Sequence, residues 1–238
     1  MRKPESYQEA RYKRQRLARR LRWVVVALVV YELVTSLGLK SMSAGSNGME
    51  PTIRRGDHLL VLPSAYGIAS SSLGPSYTSP KRGDIVVMRP PYAKPMPWYA
   101  RAFWAAVDFV TLHRLPARLR PREELMLKRV IALPGDTVYL EGFLAMVREG
   151  GGAHFLTEYE LSGRSYDLSS SGLPEGWPVE LPLSGSFPAY TLGEGEYFVL
   201  GDNRLNYADS RFFGPVRAQH IVAKVALRYW PFNAKAIQ

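Results

Sequence analysis

Leu125-Met126-Leu127-Lys128-Arg129-Val130-Ile131-Ala132-Leu133-Pro134-Gly135-Asp136-Thr137-Val138-Tyr139-Leu140 holds two apolar runs joined by a turn. Period-two alternation in the first run predicts a strand that carries Lys128 on the face of Met126 and Val130. Gly135 supplies the positive φ of a tight turn and Asp136 tolerates the adjoining position, so the second run reads as a strand entered from that turn. The punctuation recurs. Gly56-Asp57 precedes His58-Leu59-Leu60-Val61-Leu62, Gly83-Asp84 precedes Ile85-Val86-Val87-Met88, and Gly201-Asp202 forms a fourth pair. Residues 222–230 (VAKVALRYW) suit a last strand. The predicted class is mainly β.

Other stretches break the pattern. Residues 63–81 are rich in Ser, Gly and Pro and read as a loop. Residues 150–194 are similar, and 141–196 are expected to form a subsidiary β-excursion from the core. Residues 91–124 read as an insertion. Within it, Tyr99, Phe103, Ala106, Val107 and Val110 fall at helical spacing between Pro97 and Pro116. With Trp98 and Trp104 it suits an interfacial helix, and a helix packed on the β-core fits equally.

The 238 residues suffice for one sizeable domain with such an excursion. The net charge of +10 is unevenly spread: residues 1–22 hold nine Arg and Lys against Glu5 and Glu9. A basic arm of this kind suits nucleic acid, but residues 23–39 (WVVVALVVYELVTSLGL) are mostly apolar. Basic flank and apolar run together predict one transmembrane helix over 23–39 with 1–22 cytoplasmic. A cleaved secretory signal and a buried helix are the competing readings. The expected partner is therefore a lipid bilayer and not nucleic acid. The absence of cysteine excludes disulfides, thiolate metal sites and a Cys nucleophile. The four His are far apart in sequence, so neither a metal nor a cofactor is expected.

Lys128 is the strongest catalytic candidate, although a lysine in an apolar strand, taken alone, is more often a snorkelling surface residue. An ammonium among apolar neighbours is desolvated, which lowers its pKa and lets the neutral amine take a proton from a hydroxyl. Upstream stands Ser46-Asn47-Gly48-Met49-Glu50-Pro51-Thr52; downstream stand Gly201-Asp202-Asn203-Arg204 and Asp209-Ser210-Arg211. In this order, behind an apolar segment, the three blocks resemble the bacterial type I signal peptidases, membrane serine proteases with a Ser/Lys dyad. The resemblance covers residues 23–90 and 125–232. It implies a signal-peptidase-like β-core over 40–238 on the outer face of the cytoplasmic membrane. It further implies removal of signal peptides from secreted preproteins, bound as an added strand.

Residue by residue, the resemblance makes Lys128 the general base and Ser46 an oxyanion-hole donor. Met49, Pro51 and Thr52 become the scaffold of the nucleophile. Asp202, Arg204, Asp209 and Arg211 read as a paired network, because buried unpaired charge is costly. The chain departs from the pattern at Gly48, where the family has the nucleophilic Ser. It departs again at Leu205 and at Tyr207, the position of a Ser whose hydroxyl orients the lysine. Glycine forms no acyl-enzyme, which leaves three readings: a nucleophile-less signal peptidase, a displaced nucleophile at Ser46, or a membrane-anchored peptide-binding module. A Ser/Lys self-cleaving repressor shares the β-core but needs a helix-turn-helix where residues 1–40 carry the apolar segment.

Overall fold

The computed structural model describes residues 7–37, 40–66, 79–94, 96–111, 124–170, 185–206 and 208–231. In chain order the elements begin with α1 (Tyr7–Leu37), β1 (Lys40–Ser43), β2 (His58–Leu62), β3 (Ile85–Met88), α2 (Trp98–Thr111) and β4 (Met126–Ala132). Then come β5 (Thr137–Glu141), β6 (Leu144–Arg148), β7 (Leu156–Thr157), α3 (Glu158–Ser162) and β8 (Phe187–Thr191). The last are β9 (Glu196–Leu200), α4 (Ser210–Phe213), β10 (Val216–Arg217) and β11 (Ile221–Trp230). The chain divides into two compact units: α1 and α2 belong to one, all strands to the other.

The β unit contains two antiparallel sheets. Seven strands run in the order β1-β2-β11-β3-β4-β9-β10, and four in the order β7-β6-β5-β8. The fold is thus mainly β, and the three Gly-Asp pairs read as strand entries do open β2, β3 and β5. Gly83 and Gly135 turn at φ of 81° and 86°, a region that L side chains rarely adopt. The aspartates do more than tolerate the turn. Asp57, Asp84 and Asp136 each accept a hydrogen bond from the backbone N–H three residues earlier, at 2.9, 3.1 and 2.8 Å. Each also accepts from a cation, Arg228, Lys224 and Arg82 respectively. The fourth pair, Gly201-Asp202, follows β9 and is a strand exit.

β4 lies inside the large sheet between β3 and β9 and is buried on both faces. Leu127 packs with Met49, Ile53 and Leu59 on one side; Val130 packs with Val86, Val199 and Tyr197 on the other. A third cluster, with Ile131, Val138 and Phe198, fills the space under the small sheet.

In the helical unit, the expected span over 23–39 needs correction. α1 is one continuous helix whose first half is basic, and no helix among the described residues is long and apolar enough to cross a membrane. The physical reason is length: residues 23–37 at ~1.5 Å each cover about 22 Å, against a hydrocarbon core of ~30 Å. Residues 38 and 39 lie outside the described residues. α2 exposes Trp98, Tyr99 and Phe103.

Candidate active site

Lys128 enters the site from the middle of β4, where it pairs in register with Val86 of β3. Only 2% of its surface is exposed. Burial pulls the amine down to about 8; Asp209 and Asp202 oppose that shift, and Arg211 and Arg204 add to it. Among the described residues no group accepts a hydrogen bond from Nζ, so desolvation is not offset by a direct partner.

Gly48 faces this amine. A Cβ built at position 48 would lie 3.5 Å from Lys128 Nζ and 3.2 Å from Asn206 Nδ2. A hydroxyl on such a carbon falls within hydrogen-bonding reach of the lysine. Gly201 closes the other side. A Cβ there would collide with the Gly48 carbonyl oxygen and stand 3.3 Å from Nζ, so this position requires glycine by close approach.

Two loops are stitched together around the pair. The backbone N–H of Asn203 donates to Gly48 O at 3.2 Å, and Asn203 Nδ2 donates to Asn47 O at 3.2 Å. Thr52 Oγ1 donates to Asp202 Oδ2 at 2.6 Å. Asp202 in turn receives both arms of Arg129, Nε at 2.8 Å and Nη2 at 2.7 Å, with all three side chains in the interior or at its edge. Met49 is buried in the core, which fixes the residue next to Gly48. Ser46 and Pro51 are exposed on either side of it, and Ser46 makes no hydrogen bond with Lys128. Tyr207 lies outside the described residues.

The four expected charges are paired, though not simply with one another. Asp209 takes Arg211 in a two-armed bridge of 2.9 and 2.7 Å. Asp202 is held by Arg129. Arg204 donates to Glu158 at 2.6 Å and to the Phe143 carbonyl at 2.8 Å. Tyr166 completes the assembly: its hydroxyl donates to Glu158, and the Arg129 guanidinium stacks 3.6 Å above its ring. Burial and the adjacent Glu158 push that hydroxyl far above the usual phenol range.

Sequence reasoning missed Arg129, Glu158, Tyr166 and Asn206. Arg129 alternates away from Lys128, and alternation marks it as outward unless the strand is buried on both faces. Glu158 had a partial signal, because Thr157 and Glu160 form a capping box that fixes the start of α3. That box says where the helix begins and nothing about Arg204, 46 residues away. No pattern singled out Asn206.

Known proteins resemble this chain over most of its length. The family described as signal peptidase, peptidase S26, matches residues 17–230. Signal peptidase I of Leptolyngbya laminosa is 28% identical over 211 residues, covering 84% of this chain and 76% of that protein. Signal peptidase I of Helicobacter pylori is 26% identical over 237 residues, covering 89% and 80%. A signal peptidase I crystal structure from Enterococcus faecalis aligns at 22% identity with a TM-score of 0.34, over 61% of this chain and 96% of that one. The family match runs through all three blocks that converge on Lys128, and the chain belongs to the signal peptidase, peptidase S26, family.

Proposed function

We propose that the β unit recognises the signal-peptide region of secreted preproteins, and that it is a Ser/Lys-dyad site lacking only the attacking hydroxyl. The observation that carries this reading is the direction of position 48: its Cβ would point at Lys128 Nζ from 3.5 Å. Lys128, buried and lowered to about 8, has the properties of a general base. Ser46 is two residues away and exposed, which suits a donor at the rim better than a displaced nucleophile. β1 is an edge strand that runs toward Gly48, and its outer edge fits an extended peptide added as a further strand. With glycine at 48 the peptide binds and turnover is lost, on the order of 10⁶-fold in kcat by the measure of other serine proteases.

The site works at the outer face of the cytoplasmic membrane in this reading. Residues Trp23, Val24, Val25, Val26, Val29 and Val30 of α1 are all exposed, so this stretch of the helix carries uncovered apolar surface. Lipid is the cover that such a surface needs. The basic half of α1 belongs on the cytoplasmic side.

The test is Gly48→Ser with a preprotein substrate. Cleavage should appear, rise with pH through about 8 as Lys128 loses its proton, and vanish in Gly48→Ser/Lys128→Ala. Efficient cleavage by the unaltered chain that Ser46→Ala stops would move the nucleophile to Ser46 and overturn the reading.

A further inference from the structure

The space beside Gly48 is lined by nitrogen donors. Outside its chain neighbours, the three atoms nearest to a Cβ at that position are Asn206 Nδ2, Lys128 Nζ and the Asn206 carbon Cγ. The orientation of the Asn206 amide is fixed by its neighbours: the Ala208 backbone N–H donates to Oδ1 at 3.2 Å. Nδ2 is therefore the end that faces Gly48, and an amide nitrogen only donates.

The carboxylates that act on Lys128, Asp202 and Asp209, already have cationic partners. Asp202 is held by Arg129 and Thr52, and Asp209 by Arg211. Glu158 is held by Arg204, Tyr166 and the Ala145 N–H. Lys128 and Asn206 thus aim two nitrogen donors, one of them positive, at the place a Cβ of residue 48 would take. A hydroxyl at position 48 would fill that space. An uncleaved peptide offers it a carbonyl oxygen, but the next atom in the chain is an N–H, a donor set against donors. A free carboxylate offers two oxygens and no donor.

We propose that this site binds the C-terminal carboxylate of an already cleaved peptide, with one carboxylate oxygen beside Gly48 between Asn206 Nδ2 and Lys128 Nζ. The proposal rests on the peptide-recognition reading above and narrows it to a product-type ligand. The class of reaction that supplies such a ligand is endoproteolysis of a preprotein after a small residue. Glycine at 48 then has a chemical consequence beyond lost attack, because it makes room for the second oxygen that a serine hydroxyl would exclude. The charges around Lys128 are Asp202 and Asp209 against Arg204 and Arg211, and no one of them touches Nζ. With the amine lowered to about 8, it is mostly charged at neutral pH and pairs with the incoming carboxylate.

The experiment is calorimetric titration of the full chain with three synthetic peptides that share one signal-peptide C-region ending in Ala-x-Ala. One is the free acid, one its C-terminal amide, and one continues past the Ala. The free acid should bind at least tenfold tighter than either of the others at pH 6.5. The preference should shrink above pH 8, and binding near pH 8 should take up a proton, read as a dependence of the heat on buffer. Asn206→Asp keeps the Ala208 bond but turns an acceptor toward the ligand, and Lys128→Met removes the charge. Each should abolish the preference, as should Gly48→Ser, while circular dichroism reports an intact fold. Equal binding of acid and amide overturns the carboxylate site and leaves peptide recognition standing. Binding of none of the three overturns peptide recognition itself.

Discussion

Lys128 carries a charge that its surroundings disfavour, and the chain gives it no carboxylate of its own. The folded protein therefore holds this proton less tightly than the unfolded chain does, down from 10.5 to about 8. Between those two values the unfolded state binds more protons, so this residue makes stability rise with pH across that window. Replacing it with Met removes the cost of the buried charge. Lys128→Met should be the more stable protein at pH 7, and its advantage should shrink by about 3 kcal/mol by pH 10.5 at ~1.4 kcal/mol per unit. Denaturant melts of both proteins over that range measure this, and a constant difference would show that the amine is solvated. The desolvation was legible in the sequence, since Lys128 stands within an apolar run. The face of Asn206 was not, because only the fold brings residue 206 to residue 48.

At the scale of elements, the short helix α3 does more than its five residues suggest. Glu158, its first residue, joins the small sheet to the 201–204 loop through Arg204 and to Arg129 through Tyr166. Ser169 adds a backbone link, accepting from the Arg204 N–H at 2.8 Å and donating to Asp202 O at 3.0 Å. The excursion thereby braces the loop that carries Gly201 against Lys128. Glu158→Ala leaves Arg204 buried without its carboxylate and should cost about 3–5 kcal/mol, with Glu158→Gln milder. Urea melts decide it; a loss below about 1 kcal/mol, the scale of an exposed pair, would mean that Arg204 finds another acceptor. Strand entries were readable from Gly-Asp pairs because turn chemistry is local. The charge pairs were not, because Asp202 and Arg129 are 73 residues apart and Arg204 and Glu158 are 46. Sequence spacing showed that these charges needed partners but not which partners they take.

For the whole molecule, the proposed reading has the apolar half of α1 set where the β unit works. Protease added to intact spheroplasts should digest residues after 45 and spare residues 1–22. Protection of the whole chain would place the β unit on the cytoplasmic side and sink the proposed topology. The sequence showed the apolar run plainly, yet its reach depends on where the helix ends, and a run of mixed polarity does not mark that point.

The order of strands has a further consequence, for the birth of the protein. β11 follows every other described strand in the chain, yet it lies between β2 and β3. Without it the large sheet falls into two separate pieces, β1-β2 and β3-β4-β9-β10. Gly48 lies in the first piece, between β1 and β2, and Lys128 belongs to the second. While the polypeptide is still emerging from the ribosome or the export channel, the two halves of the site have no shared sheet. Under the proposed function, recognition would switch on only when the closing strand arrives, which would keep a half-made chain from engaging signal sequences that pass beside it.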